Sequence, residues 1–135
     1  MTIESHTDDA KSLRTHTVRG TISLPDIGSF IARLYASPAP SSDFNVLWDL
    51  READCSKVTQ ADIKELADFM REHWAEKRRN KAAIVVTGEF HFGLSRMYEQ
   101  SLGRPAHGKI MIFRELDPAS VWLSKPDSAT PLPSP

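Results

Sequence analysis

Residues 87–96, TGEFHFGLSR, follow the apolar run KAAIVV and contain the spacing G-x-x-x-x-G that begins a phosphate-binding P-loop. A P-loop needs a lysine after its second glycine, because the ammonium group contacts the β- and γ-phosphates. Leu94 stands at that position, and Phe90 and Phe92 place two bulky apolar side chains inside the loop. The segment therefore does not predict a nucleotide site.

Other reactive side chains are few and scattered. Cys55 is the single cysteine, and the five histidines stand at positions 6, 16, 73, 91 and 107. No histidine lies at a metal-ligand spacing from another histidine or from Cys55. No serine lies in a G-x-S-x-G turn, and Cys55 has no identifiable histidine partner. The sequence therefore predicts no catalytic residue, no metal and no cofactor.

Composition excludes several classes of protein. The 135 residues carry a net charge of −1, which argues against nucleic-acid binding. The basic cluster EKRRNK at 76–81 falls at the end of a predicted helix, where it can complement the helix dipole. A single cysteine and the absence of a signal-peptide pattern indicate a cytoplasmic protein. No apolar run reaches the ~20 residues that span a bilayer, so we expect no membrane insertion.

The elements that must position any functional group alternate between strands and helices. Two strands around the polar turn TDDAK predict an N-terminal hairpin, and Pro- and Ser-rich residues 126–135 predict a mobile tail. The remaining predicted elements are a helix from Ser23, a strand at 44–50, a helix from Thr59, a strand at 82–87, a helix ending at Gly103, a strand at 109–115 and a helix opened by Asp117-Pro118. Trp122 should dock this last helix on the sheet. Residues 1–125 are thus predicted to form one α/β domain.

The connections also predict how the strands pair. Strands separated by helices pair in parallel, because the crossover returns the chain to the same end of the sheet. We therefore expect a mixed, mostly parallel sheet with the hairpin at one edge.

Polar and aromatic residues follow two of the predicted central strands. Ligands of open α/β sheets bind beyond the carboxyl ends of the strands, and clefts for small molecules mix such groups. The candidate ligand-binding residues, which we call the strand-end rim, are Asp49, Arg51, Thr87, Phe90, His91 and Arg96. The alternative is a solvated loop, with Arg96 in a structural ion pair with a carboxylate such as Asp49 or Glu99.

Several segments together carry a family resemblance. In order they are VLWDLRE, a capped helix, AAIVV, FGLSRMYEQ and KIMIFRELDPASVWL. This series resembles the SpoIIAA-like family, a relative of the STAS domains, over most of residues 1–125. The resemblance implies four βα turns on a mixed sheet after an N-terminal hairpin strand, with Gly93 at the entry of the third helix. Related folds bind partner proteins or, in lipid-transfer relatives, hold an apolar ligand.

The resemblance also singles out Thr59. In STAS anti-anti-sigma factors, the motif D-S-S-G opens a helix and its second serine accepts a phosphate. Counting from Asp49, that position is Thr59, within the segment KVTQ, so the signature is absent. Thr59 remains a phosphorylation candidate at a helix N-terminus, and the alternative is a simple N-cap.

Two functions follow from these observations. The first is a binding or regulatory module that acts through a protein partner or a small apolar or anionic ligand. The second is a small enzyme that uses Asp49, Glu89 and His91. The lack of a recognisable catalytic set favours the first. We also expect a weak homodimer, because an edge hairpin leaves backbone groups unpaired.

Overall fold

The chain begins with the expected antiparallel hairpin, in which Ser5 lies opposite His16. The structure, a computed structural model, describes residues 1–36, 43–73 and 80–125. The elements in chain order are β1 (Thr2–Asp8), β2 (Leu13–Thr21), α1 (Leu24–Ala36), β3 (Asn45–Asp54), α2 (Gln60–His73), β4 (Ala82–Val85), α3 (Glu89–Leu102), a 3₁₀ turn (Arg104–Ala106), β5 (Ile110–Phe113) and α4 (Leu116–Ser124).

The five strands lie in the order β1-β2-β3-β4-β5. β1 and β2 are antiparallel, whereas β2, β3, β4 and β5 are parallel to their neighbours. Helices α1, α2 and α3 make the three crossovers, and α2 packs against both α1 and α3. Helix α4 instead packs on β3, β4 and β5. The predicted mixed, mostly parallel sheet with four βα turns is confirmed.

Two apolar layers cover the two faces of the sheet. Side chains alternate along a strand, so Ile84 of β4 faces one layer while Ala83 and Val85 face the other. The first layer lies under α1, α2 and α3, and the second lies under α4, where Ala119 and Leu123 are buried. The all-apolar sequence of β4 is thus explained by burial on both of its faces.

The helix ends mostly follow the capping residues. The backbone N–H of Asp62 donates to Thr59 Oγ1 over 3.1 Å, and the N–H of Thr59 donates to Asp62 Oδ2 over 3.1 Å. This reciprocal pair is a capping box, which satisfies two N–H groups of the first turn of α2. Gly103 ends α3 with a φ of 71°, as expected.

Three local expectations are corrected. Strand β3 continues beyond residue 50, because Glu52 and its neighbours pair with the end of β2. Helix α4 begins at Leu116 with Glu115 as its N-cap, rather than at Asp117. The entry glycine of α3 is Gly88, with a φ of 89°, whereas Gly93 lies inside the helix.

The basic cluster at 76–81 was expected to complement the dipole of the helix that it follows. Its last residue, Lys81, instead contacts the end of helix α4. Its side chain is buried, and Nζ donates to the carbonyl oxygens of Trp122 over 2.6 Å and Lys125 over 2.9 Å. The ammonium group therefore caps the C-terminal end of α4. Residues 76–79 and the predicted tail at 126–135 lie outside the described residues.

The sheet has two edges, β1 and β5. Met111 of β5 keeps 42% of its surface exposed. The weak homodimer remains a prediction, which sedimentation velocity at high protein concentration would test.

Candidate ligand-binding site

A cavity of about 150 Å³ lies between the sheet and helices α1, α2 and α3. Its apolar lining comes from β2, β3, β4 and β5 on one side and from the three helices on the other. The apolar residues that line it are Ile22, Leu24, Ile27, Ile31, Leu34, Val46, Trp48, Leu50, Val58, Ile63, Leu66, Met70, Ala82, Ile84, Leu94 and Ile110. No carboxylate occurs among the described lining residues. The interior is thus suited to an apolar molecule of small size.

The sequence pattern explains why these side chains meet. Val46, Trp48 and Leu50 alternate along β3 and all reach the cavity, while Leu47 points to the α4 layer. Ile27 and Ile31 lie one turn apart on α1, and both line the cavity. The helix stripes expected to fill a core therefore also enclose this space.

His16 is the most buried polar side chain of the cavity, with 2% of its surface exposed. Its Nδ1 lies 2.8 Å from Ser5 Oγ, and its ring centroid lies 4.7 Å from that of Trp48 and 5.3 Å from that of Phe30. Burial, assisted by the positive charge of Arg14, lowers the pKa of His16 from 6.5 to about 4. His16 is therefore a neutral imidazole at physiological pH.

Asn80 supplies a second polar group from the segment before β4. Its Nδ2 donates to the carbonyl oxygen of Phe44 over 3.3 Å. Its Oδ1 is buried and accepts no hydrogen bond from a described residue. Buried acceptors usually have a partner, and Asn80 is one of the residues that line the cavity.

Cys55 and His91 lie near the carboxyl ends of the strands. The backbone N–H of Cys55 donates to His91 Nε2 over 3.0 Å. The thiol of Cys55 is buried and lines the cavity. Burial, reinforced by the charge of Asp54, raises the pKa of this thiol to about 11, so it stays protonated at neutral pH.

Two residues of the strand-end rim pair with each other. Arg51 donates from Nε and Nη2 to the two carboxylate oxygens of Asp49, each over 2.9 Å. These hydrogen bonds with Arg51 lower the pKa of the Asp49 carboxyl. Asp49 follows the alternation of Leu47 and therefore lies on the α4 face of the sheet, opposite the cavity, whereas a register shift between Asp49 and Glu52 interrupts the alternation at Arg51.

The other rim residues lie around the start of α3. Thr87 and Phe90 are exposed, and the ring of Phe90 meets that of His91 edge-on. Arg96 pairs with Glu99 over 2.8 Å, with half of the Arg96 side chain in solvent. This pair matches the structural alternative for Arg96. Ligand binding at the six rim residues remains a prediction.

Sequence reasoning missed the polar residues of the cavity. Arg14 and His16 precede Val18 at two-residue intervals in β2, on a face whose burial the apolar residues already suggested. The signal that could have revealed these residues is the presence of polar side chains on a strand face that the neighbouring apolar residues predict to be buried. Asn80 carried no such signal, because its position depends on contacts with β3.

Metal binding and membrane crossing find no support in the described parts of the chain. There, no three His, Cys, Asp or Glu side chains cluster as metal ligands would. None of the described helices combines the length and apolar character needed to cross a membrane.

Comparison with known proteins identifies the fold. No family model matches the chain, and no curated protein matches it. Among solved structures, it is similar to an uncharacterized protein of the DUF3478 family from Shewanella loihica PV-4, described as having a SpoIIAA-like fold. The two chains are 17% identical, the match covers 90% of this chain and 92% of that one, and the TM-score is 0.54. The resemblance to the SpoIIAA-like family is thus confirmed at the level of the fold.

Proposed function

We propose that this protein is a binding module that holds a small, largely apolar ligand between the sheet and helices α1, α2 and α3. The observation that carries the proposal is the cavity of about 150 Å³ with its mainly apolar lining. In other proteins, an apolar cavity of about 150 Å³ stays dry and binds benzene. A SpoIIAA-like fold is compatible with a binding or regulatory role.

The state of the reactive groups favours binding over catalysis. Asp49 is held by Arg51, and Glu89 pairs with Arg114. His91 already accepts a hydrogen bond through Nε2, so this nitrogen is not available to take a proton from a substrate. The three groups of the enzyme alternative are therefore engaged in structural contacts.

A titration with toluene tests the proposal, because toluene is neutral, apolar and close to benzene in size. We expect toluene to shift the NMR signals of the Trp48 indole and of the backbone amides around the cavity. Ala82→Leu should abolish these shifts, because Ala82 lines the cavity. Ala61→Leu is the matched control on the exposed face of α2 and should bind as the wild type does.

Two results would overturn the proposal. One is a wild-type spectrum that toluene leaves unchanged up to its solubility limit. The other is toluene binding that survives in a folded Ala82→Leu variant. If Ala82→Leu does not fold, Ser95→Leu fills the same cavity from α3 and replaces it.

A further inference from the structure

Three aromatic rings form a cluster on the sheet side of the cavity. The ring centroid of Trp48 lies 4.7 Å from that of His16 and 6.2 Å from that of Phe30, and the rings of Trp48 and Phe30 meet edge-on. Trp48 and His16 line the cavity, while Phe30 belongs to α1. Ser5 on the adjacent strand contacts His16 over 2.8 Å. The indole of Trp48 is therefore held in place by neighbouring rings before any ligand binds.

Trp48 presents part of its indole to the cavity. It lies on β3, the middle strand, on the face that the helices cover, yet it is only partly buried. Leu47, next to it on the opposite face, keeps only 3% of its surface exposed. Because Trp48 also lines the cavity, we attribute the remaining accessible surface of its ring to that space.

Other lining residues also suit an aromatic ligand. Tyr98 of α3 adds a ring on the helix side, and Met70 of α2 and Cys55 bring sulfur atoms to the lining. Aromatic pairs are worth more than their buried area alone, and sulfur atoms contact the edges of rings favourably. An aliphatic molecule of the same size gains only from burial. The lining therefore favours a ring over a chain.

The lining gives little support to a charged ligand. No carboxylate among the described lining residues could pair with a cation. Arg14, a basic residue of the lining, already has an interaction within the protein. Because a charge that is buried without a partner is costly, we expect an uncharged ligand.

We propose that Trp48 is the recognition surface of the cavity and that the ligand is an uncharged molecule built on one aromatic ring. The ring of the ligand packs against the indole, while a short substituent lies among the aliphatic side chains. The volume of about 150 Å³ limits the ligand to roughly the size of benzene or toluene. This inference rests on the proposed function of the cavity and names the class of ligand.

The test compares toluene with methylcyclohexane, which has a similar size and no aromatic ring. Methylcyclohexane leaves water more readily, so the quantity to compare between proteins is the ratio of the two affinities, measured by NMR titration. Trp48→Leu should lower the toluene-to-methylcyclohexane ratio by about threefold to tenfold, because it removes the aromatic pair. Trp48→Phe also enlarges the cavity but keeps a ring, so it should retain most of the ratio.

Leu50→Val is the matched control for a change in cavity size. It trims an aliphatic lining residue on the same face of β3, and it should keep the affinity ratio within about twofold. The wild-type protein provides a further measurement if Trp48→Leu does not fold. Ring protons of bound toluene should show nuclear Overhauser effects to the protons of the Trp48 indole. Effects only to aliphatic side chains would overturn the inference.

The outcomes separate this inference from the proposed function. If toluene binds but Trp48→Leu keeps the affinity ratio, or if Trp48→Phe loses as much of it as Trp48→Leu, the aromatic class is wrong and the apolar cavity stands. If Leu50→Val lowers the ratio as much as Trp48→Leu, the size of the cavity is responsible rather than the ring, and the inference is also wrong. If toluene does not bind to the wild-type protein, the proposed function itself fails.

Discussion

His91 Nε2 accepts a hydrogen bond from the backbone N–H of Cys55 across 3.0 Å, which ties the connection after β3 to the first turn of α3. Cys55 and Val58 of that connection line the cavity, so the bond braces one end of its wall. Only an unprotonated Nε2 can accept a hydrogen bond, so this contact places the ring hydrogen of His91 on Nδ1.

Replacing His91 should therefore destabilise the fold. His91→Ala leaves the N–H of the buried residue Cys55 without its partner, and we expect the free energy of unfolding to fall by about 1–3 kcal/mol. Urea denaturation measures the change. His107→Ala, at an exposed histidine, is the control. Equal midpoints for His91→Ala and the wild type would show that the bond contributes nothing.

Stability should decrease in acid because of His16. Its pKa is lowered from 6.5 to about 4, so between these values the unfolded chain binds the proton and the folded chain does not. Lowering the pH therefore favours unfolding. The stability that depends on a neutral His16 is fully present above pH 6.5 and is lost as the pH falls toward 4. The loss approaches about 3 kcal/mol near pH 4.

Urea denaturation from pH 7 to pH 4 tests this pH dependence. His16→Gln cannot titrate, so its stability should fall less steeply than that of the wild type. His107→Gln changes an exposed histidine and should follow the wild-type curve. If the stability of His16→Gln falls in parallel with the wild type, His16 is not the residue responsible.

The two glycines at the start of α3 should respond in opposite directions to alanine. A Cβ at Gly93 would meet no atom within 4 Å, so Gly93→Ala should stabilise the helix by about 0.5–1 kcal/mol. Gly88 has a φ of 89° and a ψ of 152°, which only glycine adopts readily, so Gly88→Ala should cost about 1–3 kcal/mol. Thermal unfolding of both variants measures these changes in stability. A Gly93→Ala variant that is less stable than the wild type would contradict the placement of Gly93 inside the helix.

Docking of α4 should depend on Trp122. Its ring centroid lies 5.8 Å from that of Phe113, and Lys81 Nζ lies 5.0 Å from the centre of the Trp122 ring. Trp122→Ala should lower the free energy of unfolding by about 3 kcal/mol. This value is the low end for truncation of a large aromatic side chain, because Trp122 is only partly buried. Arg96→Ala removes an exposed ion pair and should stay within about 0.5 kcal/mol. A Trp122→Ala variant with the wild-type urea midpoint would mean that α4 is not docked through this ring.

Local signals in the sequence determined the order and type of the elements. The capping pair of Thr59 and Asp62, the glycine that ends α3 and the apolar run of β4 each act within a few residues, so they can be read without the fold. Crossover connections then implied a parallel sheet, because a helix between two strands returns the chain to the same end. The SpoIIAA-like fold was expected from a family resemblance of the quoted segments, and the similarity to a solved structure supports it.

The position and the lining of the candidate site depend on tertiary contacts. The rim hypothesis placed Asp49 at the end of a strand, but β3 continues to Asp54 because β2 keeps pairing with it. The cavity depends on how side chains of four strands and three helices fill the space between two layers, which no single segment specifies. Arg14 and Asn80 are far apart in the sequence and line the same cavity only because the sheet brings β2 and β4 to the two sides of β3.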